Sequence, residues 1–407
     1  MTIAYPIRRA LLSTGGPEGR TTGAQNYDEF ADDAEITGII AANPTSALGV
    51  EMPHRAPDTL GVSFADSLPA ARERLSAAVA EGRYAPYEQA VVVYGITAPG
   101  GPTGYGLWCM VDTDQISTSA DEPGLVIRNE DVFIEKVRER VALAGAVGHL
   151  LSPVLMLATE HGKRLHAALA AAAADLGEPV CVDTDQVGRR HEIWPVPAGA
   201  VRDELLDLAG GGELVVADGN HRSLAAQLAH LPRFLAVITT AESVAIQPYN
   251  RLVAGVDVDP DALAERLRAA GASVAGAAAP PRVPTAGGTV HVYAGGRALA
   301  VTLPPRPGAD PVDNLDHALV ERVLLGEVLG LDAGDKAITY VGGDYGADWL
   351  VGEVDAGRAA LAVLIAPVTV DDFVAVNLAR HKLPRKSTWF TPKARAGLVV
   401  ADLSAEA

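Results

Sequence analysis

The chain has 407 residues, 48% of them hydrophobic, 21% charged and only 5% aromatic. That length exceeds what one compact core usually organises, so two or three lobes are expected, with small side chains filling much of the interior. The formal net charge of -18 repels nucleic-acid phosphates and anionic membrane surfaces, and no run of Lys and Arg is long enough to override it, so neither partner is expected.

The start, MTIAYPIRRALLSTGG, lacks an apolar stretch of signal-peptide length. No segment reaches the ~18 apolar residues that span a bilayer, so the cytoplasm is the expected location. Helix signals begin near Asp28 and end at Asn43-Pro44. A second helix fits SFADSLPAARERLSAAVAEGRY, with Ser67 as its cap, Pro69 in its first turn and Gly82 at its end. QAVVVYGIT and TGYGLWCMVDT read as a hairpin about the turn APGGPTG. Residues 130–144 have helical spacing, SPVLMLA is a buried strand, and KRLHAALAAAAADLG is an Ala-rich helix closed by Gly177. PVCVDTD and HEIWPVP are strands, and VRDELLDLA is a helix.

ELVVADGNHRSLAAQLAHL then reads as strand, tight turn and helix, and FLAVITTAESVAIQPYNRLV as a strand pair. From about 255 the texture changes. PDALAERLRAAG is a helix, TVHVYAGGRALAVTLP a hairpin and LDHALVERVLLGEVLG a helix. ITYVGG is a strand, DWLVGEVDAGRA a helix, LAVLIAP a strand and TVDDFVAVNLARHKLP the last long helix. The tail RKSTWFTPKARAGLVVADL is basic in an otherwise acidic chain. The expected division is an N-terminal α+β region (1–125), a core with the DGNHR turn (126–254), a C-terminal α+β lobe (255–380) and a basic tail (381–407) packing back on the active site. No repeat of fixed period is seen.

Four segments could carry chemistry. Asp218-Gly219-Asn220-His221-Arg222 sits at a strand-to-helix junction, where helix N–H groups, the dipole and two cationic side chains can meet an anion. The competing reading is an ordinary Asp-Gly turn with a capping Asn and a solvated Arg. In the tail, Lys386-Ser387-Thr388-Trp389-Phe390-Thr391-Pro392-Lys393 fits a phosphate-binding loop with an aromatic wall. The alternative is a plain basic terminus, but scarce aromatics and the apolar GLVVADL that follows argue for docking. Glu130, just ahead of a helix, could serve as a general base or merely as an acidic helix start. Arg251 closes a strand and fits a carboxylate or phosphate contact or a surface residue; Ser152, with His149, precedes a strand and fits a phosphate contact or a strand cap, with His149 at a helix C-terminus. Tyr27-Asp28 reads as an N-cap or a pocket edge. The two cysteines, Cys109 and Cys181, lie outside any CxxC pair or Cys/His cluster, which argues against structural zinc and a disulfide-held domain and for two buried thiols. GxxxxGK[ST], the protein-kinase motif set and GxSxG are absent.

VVADGNHRSLAAQ resembles the DGHHR-type signature of the ParB/sulfiredoxin-like superfamily. The order of YDEF, AANPTSALGV, the helix after RNEDV, SPVLMLA, TDQVGRRHEIWPV, ADGNHR, IQPYNRLV and PRKSTWFTPKARAGLVV is similar to that of a large bacterial family of uncharacterised proteins related to the free serine kinases. The resemblance implies an α/β (α+β) fold: a ParB/sulfiredoxin-like nucleotide-binding core with an additional α+β lobe. It implies Glu130 as the catalytic base, Asp218, His221 and Arg222 as phosphate and substrate contacts, and Lys386, Ser387 and Thr388 in the Lys-Thr-Thr-like position. Asn129-Glu130 stands where the related pattern has His-Glu, and Asn220-His221 where it has His-His.

The expectation is a nucleotide-dependent kinase acting on the hydroxyl of a free amino acid, L-serine first, with ATP or ADP as donor and Mg2+ bridging its phosphates. Glu130, His221 and Arg222 are the expected catalytic residues. Asp218, Gly219, Asn220, Arg251, Ser152, Lys386, Ser387, Thr388 and Trp389 are the expected substrate and phosphate contacts, and no protein side chain is assigned to a metal. The alternative is a ParB-like nucleotide-binding regulatory module. A sulfiredoxin-like reductase would need a Cys in the signature turn, where none stands.

Overall fold

The computed structural model describes residues 2–15, 20–27, 29–30, 32–117, 124–130, 132–332 and 334–406; Asp28 lies outside them. The chain forms two compact mixed α/β units, one of residues 1–245 with 392–407 and one of residues 246–391.

In the first unit the strands are β1 (Ala4–Tyr5), β2 (Ile7–Ser13), β3 (Tyr84–Ala90), β4 (Val92–Thr97), β5 (Thr103–Asp112), β6 (Val126–Ile127), β7 (His149–Leu150), β8 (Val154–Ala158), β9 (Cys181–Thr184), β10 (Arg190–Pro195), β11 (Leu214–Asp218) and β12 (Arg233–Thr239). The helices that matter here are α1 (Asp33–Ala42), α2 (Leu48–Glu51), α3 (Phe64–Ala80), α4 (Ile134–Val147), α5 (Gly162–Leu176), α6 (Ala200–Gly210) and α7 (Asn220–Leu228). A sheet of order β6-β11-β8-β12-β5-β4-β10-β9, with β1 beside β5, forms its centre. β8 is VLMLA and wholly buried, as a strand covered on both faces must be. Leu165 and Leu169 of α5 and Leu205 and Leu208 of α6 share one core with Val93, Leu107 and Cys109 of the sheet. Cys109 and Cys181 are free and buried, and burial pushes both thiols up.

A smaller sheet has the order β3, β2, Val399–Asp402, β7. Above it, Arg140 of α4 donates to Glu51 of α2 through Nη1, 2.8 Å from Oε2, and its guanidinium carbon lies 4.1 Å from the Tyr27 ring centroid. That ion pair binds α2 to α4, and the ring contact ties the segment of Tyr27 to α4.

Some elements differ from their sequence reading. α1 is capped by Asp32, which accepts from the Ala34 amide. The cap of α3 lies four residues before the expected one, because Ser63 accepts from the Asp66 amide, while Ser67 lies inside and bonds back to Phe64 O. FLAVITT and QPYNRLV do not pair with each other. β12 lies between β5 and β8 in the first unit, and the second segment joins the sheet of the other. β2, which the loose start of the chain did not announce, is a seven-residue strand.

The second unit is built on a sheet of six strands. They are β14 (Tyr249–Val253), β15 (Ser273–Ala277), β16 (Val290–Ala294), β17 (Arg297–Thr302), β18 (Ile338–Gly342) and β19 (Leu361–Leu364), in the order β15-β17-β16-β19-β14-β18; a short pair, β13 (Ala245–Gln247) with β20 (Trp389–Thr391), stands apart. α8 (Pro260–Ala269) starts where Asp259 caps it. The helix expected at LDHALVERVLLGEVLG forms, but over Val320–Leu329 it opens to the wider π spacing, a geometry often found near functional residues.

Candidate functional site

β11 runs apolar until Asp218 and stops at Gly219, whose φ of 99° suits only glycine. A Cβ there would lie 3.0 Å from Arg222 Nε and 3.2 Å from Val154 Cα. The turn therefore closes tightly and α7 starts at Asn220. Among the described residues no side chain caps it, and the positive end of its dipole lies at the turn.

β6 runs parallel to β11, with Leu214 opposite Val126 and Val215 opposite Ile127. Parallel neighbours deliver their following loops to one end of the sheet, so Asn129 and Glu130 arrive beside the DGNHR turn. Asn220 Nδ2 donates to Asn129 Oδ1 at 2.5 Å, and the two side chains are 4% and 1% exposed. The Phe133 amide donates to His221 Nε2 at 3.1 Å, and the two rings stack at 6.2 Å and 11°. Because a backbone amide can only donate, this nitrogen of His221 carries a lone pair, which assigns a neutral ring. Two contacts thus pin the loop that carries half-buried Glu130.

Arg222 is 9% exposed and engaged on several sides: it pairs with Asp218, donates to Pro153 O and donates to Asn26 Oδ1 at 3.0 Å. Asn26 is itself oriented by Glu29 Oε1, which accepts from its side chain at 2.7 Å and from its amide at 3.0 Å. The other oxygen of Asp218 accepts from Lys393 Nζ at 3.0 Å. One carboxylate thus holds two cations at a helix N-terminus, with side-chain exposures of 13%, 8% and 10% for Asp218, Arg222 and Lys393. Beside Pro153, the Ser152 hydroxyl oxygen is buried and has no hydrogen-bond partner among the described residues.

The segment that carries Lys393 is clamped two residues on. Arg395 pairs with Asp183 and donates to Gly23 O at 3.0 Å, while Thr21 donates to the same carboxylate. The Arg395 amide donates to Tyr94 OH at 3.2 Å. Tyr94 lies 2.7 Å from His191 Nδ1, and His191 Nε2 lies 3.3 Å from Asp185. Burial holds the His191 ring below its ordinary pKa. Burial pushes the Asp185 carboxyl up, but His191 and the Arg189 amide outweigh it and leave Asp185 low. A neutral His191 accepting from tyrosine and donating to aspartate fits all three groups.

The remaining expected residues belong to the second unit. Arg251 is fully buried, and its guanidinium is bonded to protein acceptors, Glu321 among them. Lys386 has φ 55°, Ser387 is 1% exposed, and Trp389 packs edge-on against Tyr249 at 5.4 Å. Lys393 was expected as the end of the phosphate-binding loop that starts at Lys386, whereas Asn26, Glu29, Asp183 and Arg395 were not among the expected residues. The signal for Lys393 was its place in KSTWFTPK; the others carry no local motif.

The sequence matches the family described as "Protein of unknown function (DUF1015)" over residues 21–318. No curated protein matches it. Among solved structures, a free serine kinase in complex with AMP is 13% identical, with 73% of this chain and 92% of that one covered and a TM-score of 0.40. A conserved hypothetical protein from Pyrococcus furiosus is 14% identical, with 72% and 95% covered and a TM-score of 0.38. SbnI from Staphylococcus aureus is 11% identical, with 73% and 88% covered and a TM-score of 0.41. Likeness at these values does not carry an activity across.

Proposed function

The chain belongs to the DUF1015 family, whose description assigns no activity, and we propose for it nucleotide-dependent transfer of a phosphoryl group to the hydroxyl of a free amino acid, L-serine first. The observation that carries this reading is the Asp218 carboxylate shared by Arg222 and Lys393 at the start of α7, beside the loop of Glu130. With Asp218 ionised, the three charges sum to one positive, next to the uncapped helix start. That is a place for a phosphate, with a carboxylate within the same end of the sheet. The choice of serine follows the motif resemblance.

In this reading Glu130 takes the proton of the amino-acid hydroxyl. The hydroxyl oxygen forms a bond to the terminal phosphorus, and the bond from phosphorus to the bridging oxygen breaks with its electrons leaving on the nucleotide. Lys393 and the amides of Asn220 and His221 hold the transferred group. Arg222, engaged by Asp218, Asn26 and Pro153, positions the turn. His221, accepting from Phe133, positions Glu130. Both Asp218 oxygens hold cations, so Mg2+ would ride on the nucleotide phosphates rather than on this carboxylate; it supplies charge neutralisation there. In the second unit, Lys386, Ser387, Thr388 and Trp389 form a further anion-holding loop.

The test is a screen of free amino acids with ATP or ADP and Mg2+, read as phospho-amino acid by mass, on wild type and Glu130→Gln. The variant should lose about 10²- to 10⁴-fold in turnover, the usual worth of a general base, while nucleotide affinity stays. Nucleotide binding without any phospho-amino acid would favour the ParB-like regulatory module instead.

A further inference from the structure

Arginine is seldom buried without a purpose, because its charge must be matched inside. Arg251 is 0% exposed. Nε donates to Glu321 Oε1 at 3.0 Å, and the ring of Tyr340 lies 4.4 Å from its guanidinium carbon. Nη1 donates to the carbonyls of Tyr249 at 3.0 Å, Asn250 at 3.2 Å and Lys386 at 3.0 Å. Two of these acceptors belong to its own strand. The third belongs to the loop before β20, 135 residues further along.

That loop is strained where the arginine holds it. Lys386 has φ 55°, the left-handed region that a side chain with a Cβ disfavours. Its neighbours fix it on both sides: Trp389 sits against Tyr249, in space that a Cβ at Gly342 would fill, and Lys386 Nζ lies 5.4 Å from the Tyr249 ring centroid. Next to the strained residue, the Ser387 hydroxyl is buried without a hydrogen-bond partner among the described residues.

We propose that Arg251 is a positioning residue: its fork holds the Lys386 carbonyl and so keeps the 386–389 loop in a left-handed turn ready for a nucleotide phosphate. The inference rests on the nucleotide reading given above. Arg251 touches no ligand itself, which separates this role from the direct phosphate contact expected from its sequence position. Glu321 neutralises the buried charge, and the wide π turns of its helix present it to the strand.

The experiment removes both members of the buried pair, Arg251→Met with Glu321→Gln, so that no lone charge is left inside. Hydrogen exchange of amides 385–389 should quicken about ten-fold as the turn loosens. The Kd for ATP–Mg2+ should rise about ten-fold with the loss of preorganisation, while kcat at saturating ATP changes little. If the double variant does not fold, Arg251→Lys, which keeps the charge and loses the fork, serves for the same comparison. Wild-type exchange in the loop overturns the proposal, and so does faster exchange with unchanged ATP affinity. Failure of the kinase reading shows separately, as wild-type protein that binds ATP and forms no phospho-amino acid.

Discussion

Lys393→Met is the most direct probe of the first-unit site. Methionine keeps much of the stem and removes the ammonium that lies 3.0 Å from Asp218, so the charge of the three-residue cluster falls from +1 to zero. A phosphate charge held about 4 Å from that ammonium gains roughly 4 kcal/mol at an effective dielectric constant near 20. Asp218, already bonded to the same nitrogen, cancels much of it. If about a third survives, the loss is about 1.4 kcal/mol, or about ten-fold in Kd. Calorimetric titration with ATP–Mg2+ at roughly 50 and 300 mM salt reads both the loss and its origin, because screening weakens the wild type more than the variant. Arg222 keeps Asp218 paired in the variant, so the fold should hold and the thermal transition should stay cooperative. Wild-type affinity with a wild-type salt dependence would refute the assignment of Lys393 to the phosphate.

Three further outcomes test the turn of Gly219 and two buried groups elsewhere. Gly219→Ala forces a Cβ into the left-handed turn against Arg222 and Val154, and should cost about 1–3 kcal/mol in urea unfolding, with weaker nucleotide binding. Arg140→Met strands Glu51, whose side chain is 4% exposed, and should destabilise by about 3–5 kcal/mol, most of it recovered by Arg140→Met with Glu51→Leu. His317 is held down to about 3, from 6.5, by burial and then by the charge of Arg251. The unfolded chain therefore binds a proton that the folded chain refuses between those values, and stability falls as pH drops through that window, by up to about 1.4 kcal/mol per pH unit. Urea midpoints at successive pH values should show this slope, and His317→Gln should flatten it.

The strand, turn and helix around Asp218 were legible because each is local: an apolar run, an Asp-Gly pair and an amphipathic start. α8 was legible for the same reason, with Asp259 and Pro260 marking its beginning, as was the hairpin of β16 and β17 about Gly295-Gly296. Long-range partners were not. β2 reads IRRALLS, with Arg8 and Arg9 exposed, and gains its identity from Val399–Asp402, nearly the whole chain away. Lys393 meets Asp218 across 175 residues, and no spacing rule connects them. Arg251 was expected at a ligand phosphate, with a surface arginine as the alternative; its burial was not legible, because its partner Glu321 stands 70 residues on. The start of α3 was misplaced because Ser63 and Ser67 are both acceptable caps, and the Asp66 amide decides between them.

Val399–Asp402 lies between β2 and β7 rather than at a margin of its sheet. On the ribosome, β2 and β7 are made long before the strand that joins them, and each waits with an open row of amides and carbonyls. The second unit, being continuous from 246 to 391, can close first, against the usual order in which the earlier part of a chain folds before the later. A chain interrupted near residue 395 would carry a finished inner unit and two unsatisfied edges, the form in which nascent proteins stick to one another.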